Sequence, residues 1–298
     1  MRVGVDLGGT KIEVIAIGDD GETLVRRRRP TPRGDYAATL DCVAALVAEA
    51  EASVGRTGSV GIATPGAISA STGLLKNSNS IVLNGKRLDR DLAARLGREV
   101  RLENDANCLA LSEAADGAAS WAEVVFGVIL GTGVGGGVVV NKRLLHGRNL
   151  IGGEWGHNCL PWMHGDELAA AVSCYCGQVG CIETFLSGAG MTRDFERRSG
   201  KSLSAEAIVS SARSDDRDAG ASLEAYLDRL ARSLGSVINI LDPDAIVLGG
   251  GLSNIDELYR WVPARLSRYT FSDGVDTPIL RAVHGDSSGV RGAAWLWP

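Results

Sequence analysis

RVGVDLGGTKIEVIAI, residues 2–17, and VVFGVILGTGVGGGVVV, residues 124–140, decide the fold. Each is a β-branched run, a glycine turn bearing a threonine, and a second β-branched run. Two such runs joined by a short glycine turn read as a β-hairpin. One hairpin opens each half of the chain, the trace that two copies of one α/β unit would leave, so the sequence predicts two similar α/β lobes with a cleft between them. Around the first hairpin the pattern continues as a strand over 22–29, a helix over 35–54 and a strand at SVGIATPG. A helix at 89–97, a strand at EVRLEN and a helix after Asp105 follow. In the second half, 184–240 reads as mostly helical, with a 3.6-residue apolar rhythm in LEAYLDRLARSLGSVINIL. DAIVLGGGLSNIDELYRW then reads strand, glycine turn, helix. The expected division is a small lobe of 1–115 plus 286–298 and a large lobe of 116–285.

At 298 residues the chain is long enough for two domains with a substantial core. A hydrophobic content of 45% with 22% charged residues is ordinary for a globular protein. The formal charge of −5 argues against nucleic acid as a partner, since such surfaces are strongly basic. The basic run Arg26–Arg29 reads as an edge strand, not a binding patch. No apolar stretch reaches the roughly 18 residues of a membrane span, and the chain opens directly on a strand with no signal-peptide pattern. Cys42, Cys108 and Cys159 are scattered as buried thiols of a reduced compartment would be, so a cytoplasmic location is expected.

Gly131, Gly133 and Gly136 satisfy G-x-G-x-x-G, but a dinucleotide fingerprint should open a helix and VVVN reads as a strand. The turns at Gly8, Gly9, Thr10 and Lys11 and at Gly131, Thr132, Gly133 and Gly135 instead suit phosphate binding. Glycine lets backbone N–H groups approach phosphate oxygens closely. Gly249 and Gly250 end a strand before a helix, another place for a nucleotide. Three such loops in one chain favour nucleotide binding over three plain turns. Asp6, just ahead of the first loop, is a candidate Mg²⁺ ligand, or else a turn former.

ENDAN places Asn104 and Asp105 at a strand-to-helix junction. Asp105 reads either as a helix cap or as a general base that accepts the proton of an attacking hydroxyl. Asn104, Glu154, His157 and Glu183 together suit the hydrogen-bonding of several vicinal hydroxyls. CYCGQVGCIE, residues 174–183, packs three cysteines with glycines, as a metal site or a redox motif would; C-x-C beside a third cysteine suits thiolate ligation better.

With these pieces in hand, the chain resembles the ROK family of repressors and kinases over essentially its whole length. DLGGTK, ENDAN, ILGTGVGGG, GGEWGH, CYCGQVGCIE and LDPDAIVLGGGLSN carry the resemblance. Within the family it looks closest to bacterial fructokinases that also accept mannose, on EWGHNCLPW, NSNSIVLNG and HGDSSGVRGAAWLWP. The resemblance implies an actin-like ATPase fold of the ribonuclease H-like class and ATP-dependent phosphorylation of a hexose, fructose first, with the lobes closing on the sugar. Glucose, mannose and the N-acetylated hexosamines are the alternatives, and a sugar-sensing regulator a remoter one. It implies Asp105 as the base and Asn104, Glu154, His157 and Glu183 as sugar contacts. The loops at 8–11 and 131–137 would hold the ATP phosphates, and Gly249–Gly251 would lie by the adenosine. It also implies Mg²⁺, a homodimer, and a closed structural Zn²⁺ held by His157, Cys174, Cys176 and Cys181. The second nitrogen of His157 would then be left for a sugar hydroxyl, with Cys159 a buried free thiol.

Overall fold

The computed structural model describes residues 1–78, 80–285 and 288–298. Their packing forms two compact units: Met1–Trp121 with Gly137–Gly152 and Val283–Pro298, and Ala122–Gly136 with Gly153–Ala282. The first unit thus takes in 137–152, which the sequence reading put in the large lobe.

The chain begins β1 (Arg2–Leu7), β2 (Lys11–Ile17), β3 (Thr23–Pro30), α1 (Tyr36–Val54) and β4 (Ser59–Thr64). The short β5 (Ala67–Ile68) and β6 (Leu75–Lys76) precede α2 (Leu88–Leu96), β7 (Val100–Asn104) and α3 (Asp105–Ala115). Then come β8 (Val124–Leu130), β9 (Val134–Val140), β10 (Arg143–Leu144), α4 (Gly165–Ala170), α5 (Ile182–Leu186) and α6 (Gly188–Ser199). The run ends with α7 (Ala205–Arg213), α8 (Arg217–Leu241), β11 (Ala245–Gly249), α9 (Asp256–Trp261), α10 (Pro263–Leu266), β12 (Ile279–Arg281) and α11 (Ser288–Ala294).

The repeat seen in the sequence returns as topology. One five-stranded sheet runs β3-β2-β1-β4-β7 and the other β10-β9-β8-β11-β12. In the first, β1 and β2 are antiparallel while β1, β4 and β7 run parallel. In the second, β9 and β10 are antiparallel while β8, β11 and β12 run parallel. A hairpin leads each sheet and parallel strands extend it, so the α/β expectation holds.

Two physical details fix the first sheet. Val3, Val5, Leu7, Ile12 and Val14 pack with Leu40, Val43, Leu46 and Val47 of α1, all at most 5% exposed. The other side receives the chain's end, where Val290, Ala294 and Trp295 cover Ile15 and Ile17. That end is the segment Val283–Pro298 of the same unit; the expected segment 286–298 starts at Asp286, which with Ser287 lies outside the described residues. The arginine run forms β3, at the sheet's edge. Arg26 and Arg28 reach the fully buried Glu13 carboxylate at 2.5 and 2.6 Å, so alternate arginines there neutralise a buried charge. Among the described residues no helix is long and apolar enough to cross a membrane.

Candidate functional site

In the first unit, Asp6 is the penultimate residue of β1 and a tight turn follows the strand, closed by Gly8 N–H donating to the Lys11 carbonyl at 3.1 Å. Thr31 ties that turn to β3, its hydroxyl donating to the Gly8 carbonyl at 2.7 Å and its N–H to the Thr10 carbonyl at 3.0 Å. Gly9 and Thr10 are left exposed at the tip. The Asp6 carboxyl is pushed up to about 7 by burial first, then by the nearby Asp105 and Glu13 carboxylates, against the pull of Lys11 and Arg28. Asp6 and Asp105 are thus electrostatically close, and a hard divalent cation offsets such crowding of carboxylates, so this donor set fits Mg²⁺.

At the end of β7 the chain turns directly into α3. The capping task falls to Asn104, not Asp105: its side-chain oxygen accepts the Asn107 N–H at 2.6 Å. Asp105 is the first helical residue and is exposed, its Oδ1 accepting the Ala106 N–H at 2.9 Å. The sequence reading missed Glu103 and His146. Glu103 accepts from Asn104 N–H and Asn107 Nδ2 and pairs with His146. Forty-three positions separate the two, and no local periodicity links them.

In the second unit, the phosphate-type turn is shorter than expected. It spans Gly131–Gly133, and β9 already begins at Val134. Gly135 therefore lies in a strand, its carbonyl accepting Trp155 Nε1 at 3.0 Å, because the β-branched residues flanking it draw the backbone into the sheet. The turn is held by Glu183, in the first turn of α5, whose Oε2 accepts the Val134 N–H at 3.0 Å. A side chain at Gly133 would collide with that carboxylate, since a Cβ there falls 2.6 Å from Oε2. Gly250, at φ +85, follows β11, and a Cβ there would fall 2.5 Å from the Leu130 carbonyl.

His157 closes the single helical turn Trp155–His157, after the exposed Glu154. Trp155 anchors that turn by an edge-on contact to Phe126, with ring centroids 5.5 Å apart. The ligand atoms of His157, Cys174, Cys176 and Cys181 all lie within 4.8 Å of one another. Cys174 Sγ stands 3.5 Å from His157 Nδ1, and Cys176 and Cys181 are 3.5 Å apart. Sulfurs about 2.3 Å from a tetrahedral zinc stand about 3.8 Å from each other, so this donor set fits zinc. Burial pushes the Cys181 thiol up to about 12 and raises Cys174; the Gln178 N–H leads the groups that lower exposed Cys176. Zinc, by ligating thiolates, would offset the upward shifts of Cys174 and Cys181.

Two expectations change at this cluster. The Nε2 of His157 is taken by the Tyr175 hydroxyl at 2.9 Å, a partner supplied by the residue between two of the cysteines. Cys159 is exposed rather than buried, and it stands outside the four-ligand group. Its thiol instead donates to the Leu160 carbonyl at 3.8 Å.

Comparisons with known proteins give the family and the fold. The ROK family profile matches residues 2–298. An N-acetyl-D-glucosamine kinase of Escherichia coli O6:H1 (strain CFT073) is 45% identical over 301 residues, covering 99% of both chains. Among solved structures, a ROK hexokinase from Thermus thermophilus superposes with a TM-score of 0.88 at 31% identity, covering 99% of this chain and 96% of that one. A ROK glucokinase from Streptomyces griseus, in complex with glucose and AMPPNP, gives 0.78 at 26%, covering 99% and 98%. None of these three is a fructokinase, which corrects the finer resemblance. Three of the residues behind that resemblance serve the framework: Trp155 packs on Phe126, His157 turns to the cysteines, and Asn84 clamps Ser78 through two hydrogen bonds of 2.9 Å. Framework residues carry no information about hydroxyl stereochemistry.

Proposed function

The chain belongs to the ROK family, and from that premise we propose that it is an ATP-dependent kinase of N-acetyl-D-glucosamine, phosphorylating the 6-hydroxyl. The 45% identity to an N-acetyl-D-glucosamine kinase, end to end over both chains, carries this reading. A neutral hexose such as glucose is the second reading, favoured by the glucokinase and hexokinase structures.

Asp105 accepts the proton of the attacking hydroxyl. Its exposed place at the start of α3, with Asn104 doing the capping, supports that role. Asn104, Glu154 and Glu183 hydrogen-bond the sugar; His157, expected beside them, has Nδ1 turned to the cysteines and Nε2 on Tyr175 and supports the site from behind. The N–H groups of the Gly8–Lys11 and Gly131–Gly133 turns take phosphate oxygens, while Gly249 and Gly250 adjoin the adenosine. Asp6 would hold Mg²⁺, which when bound neutralises charge on the phosphates. Zinc on His157, Cys174, Cys176 and Cys181 would tie the turn after Glu154 to the segment leading into α5 and Glu183, with no open position for chemistry. ADP release that requires both Mg·ATP and N-acetyl-D-glucosamine tests the reading; ADP release indifferent to added sugar refutes it.

A further inference from the structure

We propose that His146 and Glu103 form a clamp that positions the Asn104–Asp105 turn, a pair of positioning residues for the phosphoryl transfer; this rests on the kinase reading above. Glu103 distributes its two carboxylate oxygens between the catalytic turn and His146. Oε1 accepts the Asn104 N–H at 2.9 Å and Asn107 Nδ2 at 3.0 Å, and Oε2 meets His146 Nε2 at 2.6 Å. Asn107 N–H in turn donates to Asn104 Oδ1 at 2.6 Å, so residues 103, 104 and 107 close a ring around the start of α3. The far side of that turn rests on bare backbone. A Cβ on Gly137 of β9 would fall 2.7 Å from Asn107 Oδ1 and 3.0 Å from the Ala106 carbonyl. The first turn of α3 is therefore held between a strand and a carboxylate.

His146 fixes that carboxylate. Its own backbone is anchored, since its carbonyl accepts the Gly152 N–H at 3.0 Å, and the loop so closed runs on into Gly153 and Glu154. The pair is charge-assisted. Burial works to raise the Glu103 carboxyl, but the hydrogen bonds of His146, Asn107 and Asn104 outweigh it and hold it low, while Glu103 holds the His146 imidazole high. The Glu103 side chain is 15% exposed and that of His146 is 47% exposed. An ion pair with one member so exposed contributes little to stability. Misplacing a reacting group by about 1 Å, in contrast, costs up to about 100-fold in rate. A clamp should therefore appear in kcat while leaving thermal stability almost unmoved.

The test uses the full chain as wild type, His146→Ala, His146→Gln, Glu103→Gln and the Glu103→Gln/His146→Ala double variant. Expected are a loss of about 10-fold or more in kcat for His146→Ala, a KM for Mg·ATP within about twofold of wild type and a Tm within about 3 °C. His146→Gln, which keeps a donor, recovers part of the loss. The double variant loses no more than Glu103→Gln alone, because both changes break one interaction. A His146→Ala kcat within about twofold of wild type overturns the clamp, as do losses that multiply in the double variant. If Glu103→Gln fails to fold, the two His146 variants decide alone. A wild type inert toward every sugar defeats the kinase reading itself; an active wild type with unaffected His146 variants defeats only the clamp.

Discussion

Replacing Cys176 by alanine removes one of four donors that lie within 4.8 Å of one another, and should cost the protein its zinc. The stability effect follows from linkage. With free zinc about 1,000-fold above its Kd, binding adds about 4 kcal/mol to the folded state. At about 2–4 °C per kcal/mol, that predicts a Tm lower by about 8–16 °C in the variant or in chelator-treated wild type. The loss should stop short of unfolding, because the loop has ties that need no metal. Leu160 N–H donates to the Gly180 carbonyl at 2.9 Å and Ile182 N–H to the Asn158 carbonyl at 2.8 Å. Arg232 also holds the carbonyls of Pro161 and Trp162 at 3.0 Å each. Function should suffer selectively, because Cys174 lies within 4.0 Å of Glu183, whose other oxygen supports Val134. The sugar KM should rise about 10-fold or more, while the KM for ATP stays within about twofold. Metal analysis, a thermal melt with and without chelator, and the two KM values make the assay. Wild type that carries no zinc when purified without chelator, or whose melt and sugar KM ignore the chelator, refutes the reasoning.

Asp105→Asn should keep the Ala106 contact and the fold while lowering kcat about 10²–10⁴-fold; turnover near wild type in a folded variant removes Asp105 from the role of base. Glu167 compensates two arginines that are each 2% exposed, meeting Arg229 at 2.8 Å and Arg232 at 2.6 Å, so Glu167→Gln should cost about 3–5 kcal/mol in urea unfolding. A cost under about 1 kcal/mol would mean that the charge there is not needed. Against its own burial, Asp116 is held down to about 2 by His284 and Arg291, so its contribution is present above its unfolded pKa near 3.8 and fades as pH falls toward about 2. The stability gap between wild type and Asp116→Asn, at most about 2 kcal/mol, should shrink across that window; a gap independent of pH contradicts the assignment.

The parts of the fold legible in the sequence are those set by local pattern. The two hairpins, the helix after Asp35 and the amphipathic α8 all follow from periodicity. ENDAN announced a strand-to-helix junction correctly, but not that Asn104 would cap and Asp105 would stand first in the helix. The two residues are equally good caps, and the register of the strand decides between them. Gly135 was misplaced because a glycine run reads as a turn until its strand partners are known. Glu103 with His146, and Glu167 with Arg229 and Arg232, were invisible because their members lie 43, 62 and 65 positions apart. The four-ligand cluster was foreseen, whereas Tyr175 at the second nitrogen of His157 was not, since an aromatic residue between two cysteines carries no pattern of its own.

The preference of the wild-type enzyme among sugars tests the proposed activity most directly. Initial rates of ADP release across N-acetyl-D-glucosamine, glucose, mannose and fructose give kcat/KM for each. The N-acetyl-D-glucosamine value should exceed the fructose value by at least about 10-fold, equivalent to about 1.4 kcal/mol of transition-state discrimination. A fructose value equal or higher would contradict it.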